Sequence, residues 1–151
     1  MGLSIGTRTD CVTDEILDFL YEKSKQNEIW IEYGIQSFFQ TILDKINSAD
    51  DVENMRYWIK RTKEKGLNVC GHLIYGLPDE NQEMMLETFK QTIDLKVDSI
   101  KFHPLYVVKN TLLTNEFKKG RFNPISEELY IDTVVQSIIN LPQNVSVQRV
   151  T

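Results

Sequence analysis

A pair of apolar runs, residues 29–37 and 69–78, constrains the fold of this chain more than any other feature. Each run ends in glycine with a few polar groups, and a helical pattern of apolar residues follows it. Short apolar runs bounded by turn residues are typical of buried strands. Because ligands bind at the carboxyl ends of the strands in parallel α/β folds, the two runs predict a site at one edge of a parallel sheet.

The rest of the chain continues the alternation of strand and helix. Helices are expected to begin at Thr13, Ser37, Asp50 or Asp51, and Ser126, since these residues can cap a helix N-terminus. Strands are predicted over residues 3–6, 28–34, 68–75, 98–103 and 145–150, and helices over residues 13–26, 38–46, 51–65, 81–95, 112–119 and 126–140.

This rhythm favours right-handed βαβ units. The predicted fold class is α/β, a partial TIM-type barrel of about five mostly parallel strands with outer helices. The first predicted strand is short and no helix follows the last one, so we expect residues 1–151 to be part of a larger barrel. Open strand edges recruit other chains, and the chain is therefore expected to self-associate.

Composition excludes several classes of function. The 151 residues are 41% apolar and 26% charged, as in an ordinary globular domain. The net charge of −5 gives no basic bias toward nucleic acid. No apolar run approaches the roughly 20 residues that span a bilayer, and a cytoplasmic location is expected. Cys11 and Cys70 form no metal-binding pattern, so no metal site is predicted.

Polar side chains at strand positions of matching parity are the first candidates for a site. Glu32 and His72 interrupt two apolar strands, and Lys101 and His103 share one face of the next. These four, together with Gln36, are predicted to face the concave side of the sheet. The alternatives are that Glu32 pairs with a neighbouring Lys or Arg, that His72 is a hydrogen-bonded core residue, and that Lys101 and His103 lie on an edge strand.

Residues at the strand ends form the predicted rim. Gln36 ends one strand, Gly76 would let a ligand approach the backbone, and Thr7 and Arg8 follow another strand. Arg8 could hold a carboxylate or phosphate bidentately. The alternatives are a surface ion pair between Arg8 and Asp10, and a plain turn at Gly76.

Five segments together resemble one enzyme family. They are residues 6–10, 32–37, 45–47, 72–78 and 100–105. In this order and spacing they resemble the radical S-adenosylmethionine (SAM) superfamily. The similarity is greatest to the branch of elongator-type acetyltransferase subunits and oxygen-independent coproporphyrinogen oxidases. Within it, the chain resembles an uncharacterised bacterial group labelled Fe–S oxidoreductase.

The resemblance implies that this chain holds the third to seventh strands of a partial barrel, with SAM at their carboxyl ends. Gln36 matches a contact to the methionine or ribose part of SAM. His72, Ile74 and Gly76 match the strand beside ribose and adenine. The implied cofactor-binding set also includes residues near adenine and on the rim: His103, Leu105, Thr7, Arg8 and Glu32.

Three departures from the family pattern qualify these expectations. The three cysteines that hold the family's [4Fe–4S] cluster are not among these residues, so no cluster is expected on this chain. Ser48 stands where the family usually has a SAM-binding arginine. Thr9 replaces a frequent proline.

The implied function is the SAM-binding portion of a radical SAM Fe–S oxidoreductase. The parent protein would use SAM and [4Fe–4S] to generate a 5′-deoxyadenosyl radical, and this chain alone is expected to be inactive. The substrate could be a tRNA base, a small molecule or a protein. Two alternatives stay open: a fragment of another TIM-barrel lyase or aldolase using Glu32 and His72, and a non-catalytic interaction domain.

Overall fold

The sheet of this protein is entirely parallel. A computed structural model describes residues 1–151. Its five strands lie in the order of the sequence, and each pairs in parallel with the next. This topology confirms the predicted α/β fold class. The strands are β1 (Gly2–Thr7), β2 (Glu28–Gln36), β3 (Asn68–Tyr75), β4 (Ser99–Pro104) and β5 (Ser146–Arg149).

Helices connect the strands. None of them is long and apolar enough to cross a membrane. The connection after β1 also contains a 3-10 turn at Thr9–Cys11. The helices are α1 (Asp14–Ser24), α2 (Gln40–Lys45), α3 (Val52–Glu64), α4 (Gln82–Asp94), α5 (Leu112–Lys118) and α6 (Glu127–Ile139).

Alternation along the strands separates a buried face from an open one. On β2, the odd-numbered residues from Ile29 to Ile35 are buried, while Trp30, Glu32 and Gly34 are partly exposed. The buried residues join a core of 24 side chains that includes Met55 of α3. The opposite face, which we call the inner face, carries Trp30, Glu32, His72, Ile74, Lys101 and His103. The predicted parity of the candidate side chains is therefore confirmed.

The helix caps explain where most helices begin. The side chains of Thr13, Asp51 and Ser126 each accept a backbone N–H of the first turn, as predicted. The prediction for Ser37 was wrong, because α2 begins only at Gln40 and has no side-chain cap. Ser37 is instead fully buried, and its hydroxyl lies 3.4 Å from the hydroxyl of Thr88 on α4.

Asp50, the alternative cap for α3, has a different role. It is buried and accepts the backbone N–H of Thr9 at 2.9 Å, together with the hydroxyl of Thr9. Asn54 donates to its other oxygen at 2.8 Å. This carboxylate therefore ties the turn after β1 to the start of α3, a contact between residues 41 positions apart.

Truncating Ile59 tests the packing of the helix layer. Ile59 of α3 is fully buried, so Ile59→Ala should lower the free energy of unfolding by about 2–5 kcal/mol through lost burial and a residual cavity. Lys60→Ala on the exposed side of the same helix is the control and should change it by less than about 0.5 kcal/mol. Urea denaturation measures both. Equal effects would show that α3 does not pack as described.

Candidate functional site

Glu32 is the centre of a hydrogen-bonded cluster on the inner face. Its Oε2 atom accepts Lys101 Nζ at 2.6 Å and is 2.8 Å from His72 Nε2. Its Oε1 atom accepts the hydroxyl of Ser4. Only 12% of the Glu32 side chain is exposed, and 19% of Lys101. We call Ser4, Glu32, His72 and Lys101 the Glu32 cluster, which joins β1, β2, β3 and β4.

The cluster fixes the charges of its members. Burial alone would raise the pKa of Glu32, but hydrogen bonds from Lys101 and Ser4 and the charge of Lys101 outweigh it and lower that pKa to about 2. Burial lowers the pKa of His72, and the Lys101 charge adds to this effect despite the opposing pull of Glu32. Near neutral pH the cluster therefore holds an anionic carboxylate and a neutral imidazole.

A cavity of about 670 Å³ opens at the carboxyl edge of β2 and β3. Gln36 from the end of β2 and Ile74 from β3 line it, as does Leu105 just after β4. Two ion pairs, Lys45 with Asp79 and Arg121 with Glu116, belong to its wall. The remaining lining residues are Ile46, Asn47, Leu77, Pro78, Leu112, Leu113 and Phe122.

The backbone around the cavity is unusual at three of its turns. Gln36 and Asn47 have φ values of 64° and 55°, in the left-handed region. Gly76 has φ of 84°, and a Cβ atom there would lie 2.6 Å from the side chain of Ile125. Only glycine satisfies both conditions, so the strand-to-helix turn after β3 requires Gly76.

Glu80 supports the same turn. Its Oε2 atom accepts the backbone N–H groups of Gly76 and Leu77 at 3.1 and 3.2 Å. Its Oε1 atom is buried without a hydrogen-bond partner. Burial raises the pKa of Glu80 to about 7, although the two backbone donors favour the charged form. This carboxyl group is therefore poised to titrate near neutrality directly behind the cavity wall.

The sequence-predicted residues fall into three places. Gln36, Ile74 and Leu105 come together in the cavity, and Gly76 makes the turn beside it. Glu32 and His72 belong to the Glu32 cluster, and the His103 ring lies 5.8 Å from the His72 ring. Thr7 ends β1, and the next residue, Arg8, is bound to Asp10 at 2.8 and 2.7 Å.

Two of the alternatives left open by the sequence, both of them ion pairs, are therefore present in the structure. Arg8 makes the surface ion pair with Asp10 and does not line the cavity. Glu32 does pair with a lysine, Lys101, but it does so on the inner face. Pairing and a site-facing position are thus compatible, because the lysine lies on the same face two strands away.

Sequence reasoning missed the outer wall of the cavity. The segment between β4 and α6 contributes Leu112, Leu113, Arg121 and Phe122. Residues 104–111 have no periodic pattern, and nothing local in them indicates that the segment folds over the strand ends. Glu80 was also missed, although a carboxylate soon after a Gly-Leu-Pro turn is a usable signal for a backbone-binding residue.

The residues present do not form a metal centre. No group of three or more His, Cys, Asp and Glu side chains is arranged to hold a metal ion. Both cysteines are free, with Cys11 exposed and Cys70 buried. Burial raises the pKa of Cys70 to about 11, so its thiol stays protonated near neutrality.

Two family models match this chain. The model of the Radical SAM superfamily matches residues 2–92, and the model of the Radical_SAM C-terminal domain matches residues 97–151. The first covers β1 to α4 and therefore includes Glu32, Gln36, His72 and Ile74. The second begins just before β4 and includes Lys101 and Leu105.

Curated relatives match the whole chain. Protein YhcC of Escherichia coli is 38% identical over all of this chain and 49% of its own length. The tRNA uridine(34) acetyltransferase of Methanocaldococcus jannaschii is 30% identical over 99% of this chain and 28% of its own length. The chain thus spans about half the length of YhcC, and less of the acetyltransferase.

Solved structures share the fold. Elp3 from the archaeon Methanocaldococcus infernus superposes with a TM-score of 0.87 at 27% identity, covering 97% of this chain and 34% of that protein. Coproporphyrinogen III oxidase from Escherichia coli, described as a radical SAM enzyme, has a TM-score of 0.70 at 21% identity. This superposition covers 93% of this chain and 32% of the oxidase.

Replacing Glu80 tests its link to the turn. Since the folded pKa is raised from 4.5 to about 7, the native state holds a proton that the unfolded chain releases between these values. The contribution of the Glu80 carboxyl group to the free energy of unfolding is full below pH 4.5. It is lost as the pH rises through 7, a change on the order of 3 kcal/mol. Glu80→Gln cannot titrate, so it should flatten this part of the stability profile.

The measurement is urea denaturation at a series of pH values from 4 to 8. Glu83→Gln, at an exposed position in the first turn of α4, is the control. Its free energy of unfolding should depend on pH with the same slope as that of the natural chain. Parallel profiles for Glu80→Gln and the natural chain would contradict the assignment.

Proposed function

The chain belongs to the Radical SAM superfamily, and from this membership we propose that its cavity at the carboxyl edge holds the adenosyl part of SAM. The observation that carries the proposal is the convergence of Gln36, Ile74 and Leu105 on one cavity of about 670 Å³. All three belong to the nine residues that the family resemblance implies for cofactor binding. A volume of this size accommodates a nucleoside-sized ligand.

The chemistry of the cavity wall suits that ligand. Ile74, Leu105 and Leu113 offer apolar surface for a base. Gln36 and Asn47 offer amide groups for ribose or amino-acid atoms. In this proposal Gly76 and Glu80 keep the turn after β3 in shape, so that Leu77 and Pro78 close one side of the cavity.

The residues present do not fit a [4Fe–4S] cluster. The family's cluster needs three thiolates, whereas this chain has Cys11 and Cys70 on different elements, one exposed and one buried. We propose that in the whole protein the cluster is held by residues outside positions 1–151. The length of a relative is compatible with this proposal, because about half of YhcC lies outside the matched region.

The proposed role of this chain is therefore positioning. SAM supplies a 5′-deoxyadenosyl radical when it is reduced in enzymes of this family. The residues described here would hold its adenosyl part, while the inner face forms the wall of the substrate chamber. The whole protein would then be a SAM-dependent enzyme, and an oxidoreductase is our proposal for its class.

The substrate is proposed to be a small molecule or a tRNA nucleotide. The tRNA option rests on the name of the acetyltransferase relative, which is 30% identical to this chain. The net charge of −5 offers no general attraction for a polyanion, so a tRNA would need a basic surface from other residues.

Filling the cavity tests the proposed SAM site. Ile74→Trp places an indole in the space proposed for the adenosyl part, and it should weaken binding of SAM or S-adenosylhomocysteine at least about tenfold, the equivalent of about 1.4 kcal/mol. Val108→Trp, at an exposed position outside the cavity, is the matched control and should bind normally. Isothermal titration calorimetry measures both. Unchanged affinity in Ile74→Trp would exclude this cavity.

Reconstitution tests where the cluster is held. After anaerobic incubation with iron and sulfide, this chain should retain no stoichiometric iron, because it lacks three convergent thiolates. Iron assay and visible absorption after desalting measure the outcome. A stable [4Fe–4S] absorption spectrum from these 151 residues would contradict the proposal.

A further inference from the structure

The inner face carries both histidines of the chain, and only one of them is held by a carboxylate. His72 and His103 are the two histidines in the sequence. His72 Nε2 lies 2.8 Å from Glu32 Oε2, whereas His103 makes no side-chain hydrogen bond to the protein. Their rings are 5.8 Å apart. The two imidazoles therefore share one surface but differ in how they are oriented.

The contact with Glu32 sets the tautomer of His72. An ionised carboxylate only accepts hydrogen bonds, so the Nε2 atom of His72 must be the donor. When the imidazole is neutral, its other nitrogen, Nδ1, then carries a lone pair. A carboxylate that orients a histidine in this way is a recurrent device for presenting the second nitrogen to a ligand.

The Nδ1 atom of His72 is open to the inner face. It has no hydrogen-bond partner in the protein. If it were buried it would be a buried polar atom without a partner, but the only such side-chain nitrogen or oxygen in the chain is Glu80 Oε1. Nδ1 must therefore reach the surface. The side chain of His72 as a whole is 27% exposed.

The charged side chains next to His72 are already paired with each other. Lys101 is the cation whose charge lowers the pKa of His72, and its ammonium group is held by Glu32 at 2.6 Å. Arg149 lies on the side of His103, whose pKa is lowered by burial and then by Arg149 and Lys101. Because Lys101 and Glu32 are paired with each other, the Nδ1 lone pair is left as the unpaired recognition group of His72.

We propose that His72 Nδ1 is the hydrogen-bond acceptor of a substrate subsite on the inner face, which takes an uncharged O–H or N–H group. Ile74 lies two residues further along the same face of β3 and lines the cavity. The subsite is thus adjacent to the proposed SAM site. Naming its occupant as the substrate rests on the proposed function, whereas the state of His72 does not.

Nitrogen-15 NMR of the chain labelled at histidine tests the orientation directly. Two histidines give two spin systems, and His103→Phe assigns them. At neutral pH, His72 should be the neutral tautomer protonated at Nε2. Glu32→Gln should convert it to a mixture of tautomers, since an amide both donates and accepts. Glu28→Gln, on the same strand and face, is the matched control and should leave the pure tautomer.

A pair of probes tests the recognition of a donor. Phenol can donate an O–H group, and anisole has a similar shape without it. Phenol should move the His72 Nδ1 resonance upfield in a saturable manner, and anisole should not. An Nδ1–H tautomer, an imidazolium at neutral pH, or an equal or absent response to the two probes would overturn the proposal.

The failure of this inference can be told apart from the failure of the proposed function. SAM binding in the natural chain, measured by titration calorimetry, reports on the cavity alone. Normal SAM binding with the wrong His72 tautomer overturns only the inner-face subsite. Correct His72 behaviour without SAM binding overturns only the cofactor assignment.

Discussion

The carboxylate of Glu32 accepts hydrogen bonds from side chains on three other strands: Ser4 on β1, His72 on β3 and Lys101 on β4. Charges that leave bulk water lose hydration energy, which is recovered only if each is paired in good geometry. Replacing this group by apolar residues would often cost a protein nothing in stability. Stability alone therefore does not account for a polar cluster at the middle of the inner face.

The helix-covered face provides the stability that this arrangement needs. Tyr33, Leu73 and Phe102 alternate with the inner-face residues and are fully buried in the core. Because successive side chains of a strand point to opposite faces, the same three strands supply these core residues and also Glu32, His72 and Lys101 of the cluster. The inner face can thus remain polar and partly open while the sheet is held from its other side.

The carboxyl edge combines rigid turns with a segment that is distant in the sequence. Gly76 adopts a positive φ against Ile125, and Glu80 binds the backbone of the same turn. The segment between β4 and α6 then closes the cavity with Leu112 and Phe122. A cavity formed in this way has a floor fixed by strand geometry and a wall whose chemistry can vary independently of the sheet.

The sequence by itself determined the order of the elements, the parallel sheet and the face on which Glu32, His72 and Lys101 lie. These properties follow from local hydrophobic periodicity, capping residues and the two-residue repeat of strands. Resemblance to a family also implied nine cofactor-binding residues, of which Gln36, Ile74 and Leu105 line the cavity and the other six do not. Only the tertiary structure decided the partners: Arg8 with Asp10, Glu32 with Lys101, Ser37 with Thr88, and Glu80 with the turn at Gly76. For two of these four contacts the reason is distance along the chain, since pairs 51 or 69 residues apart leave no periodic signal in the sequence.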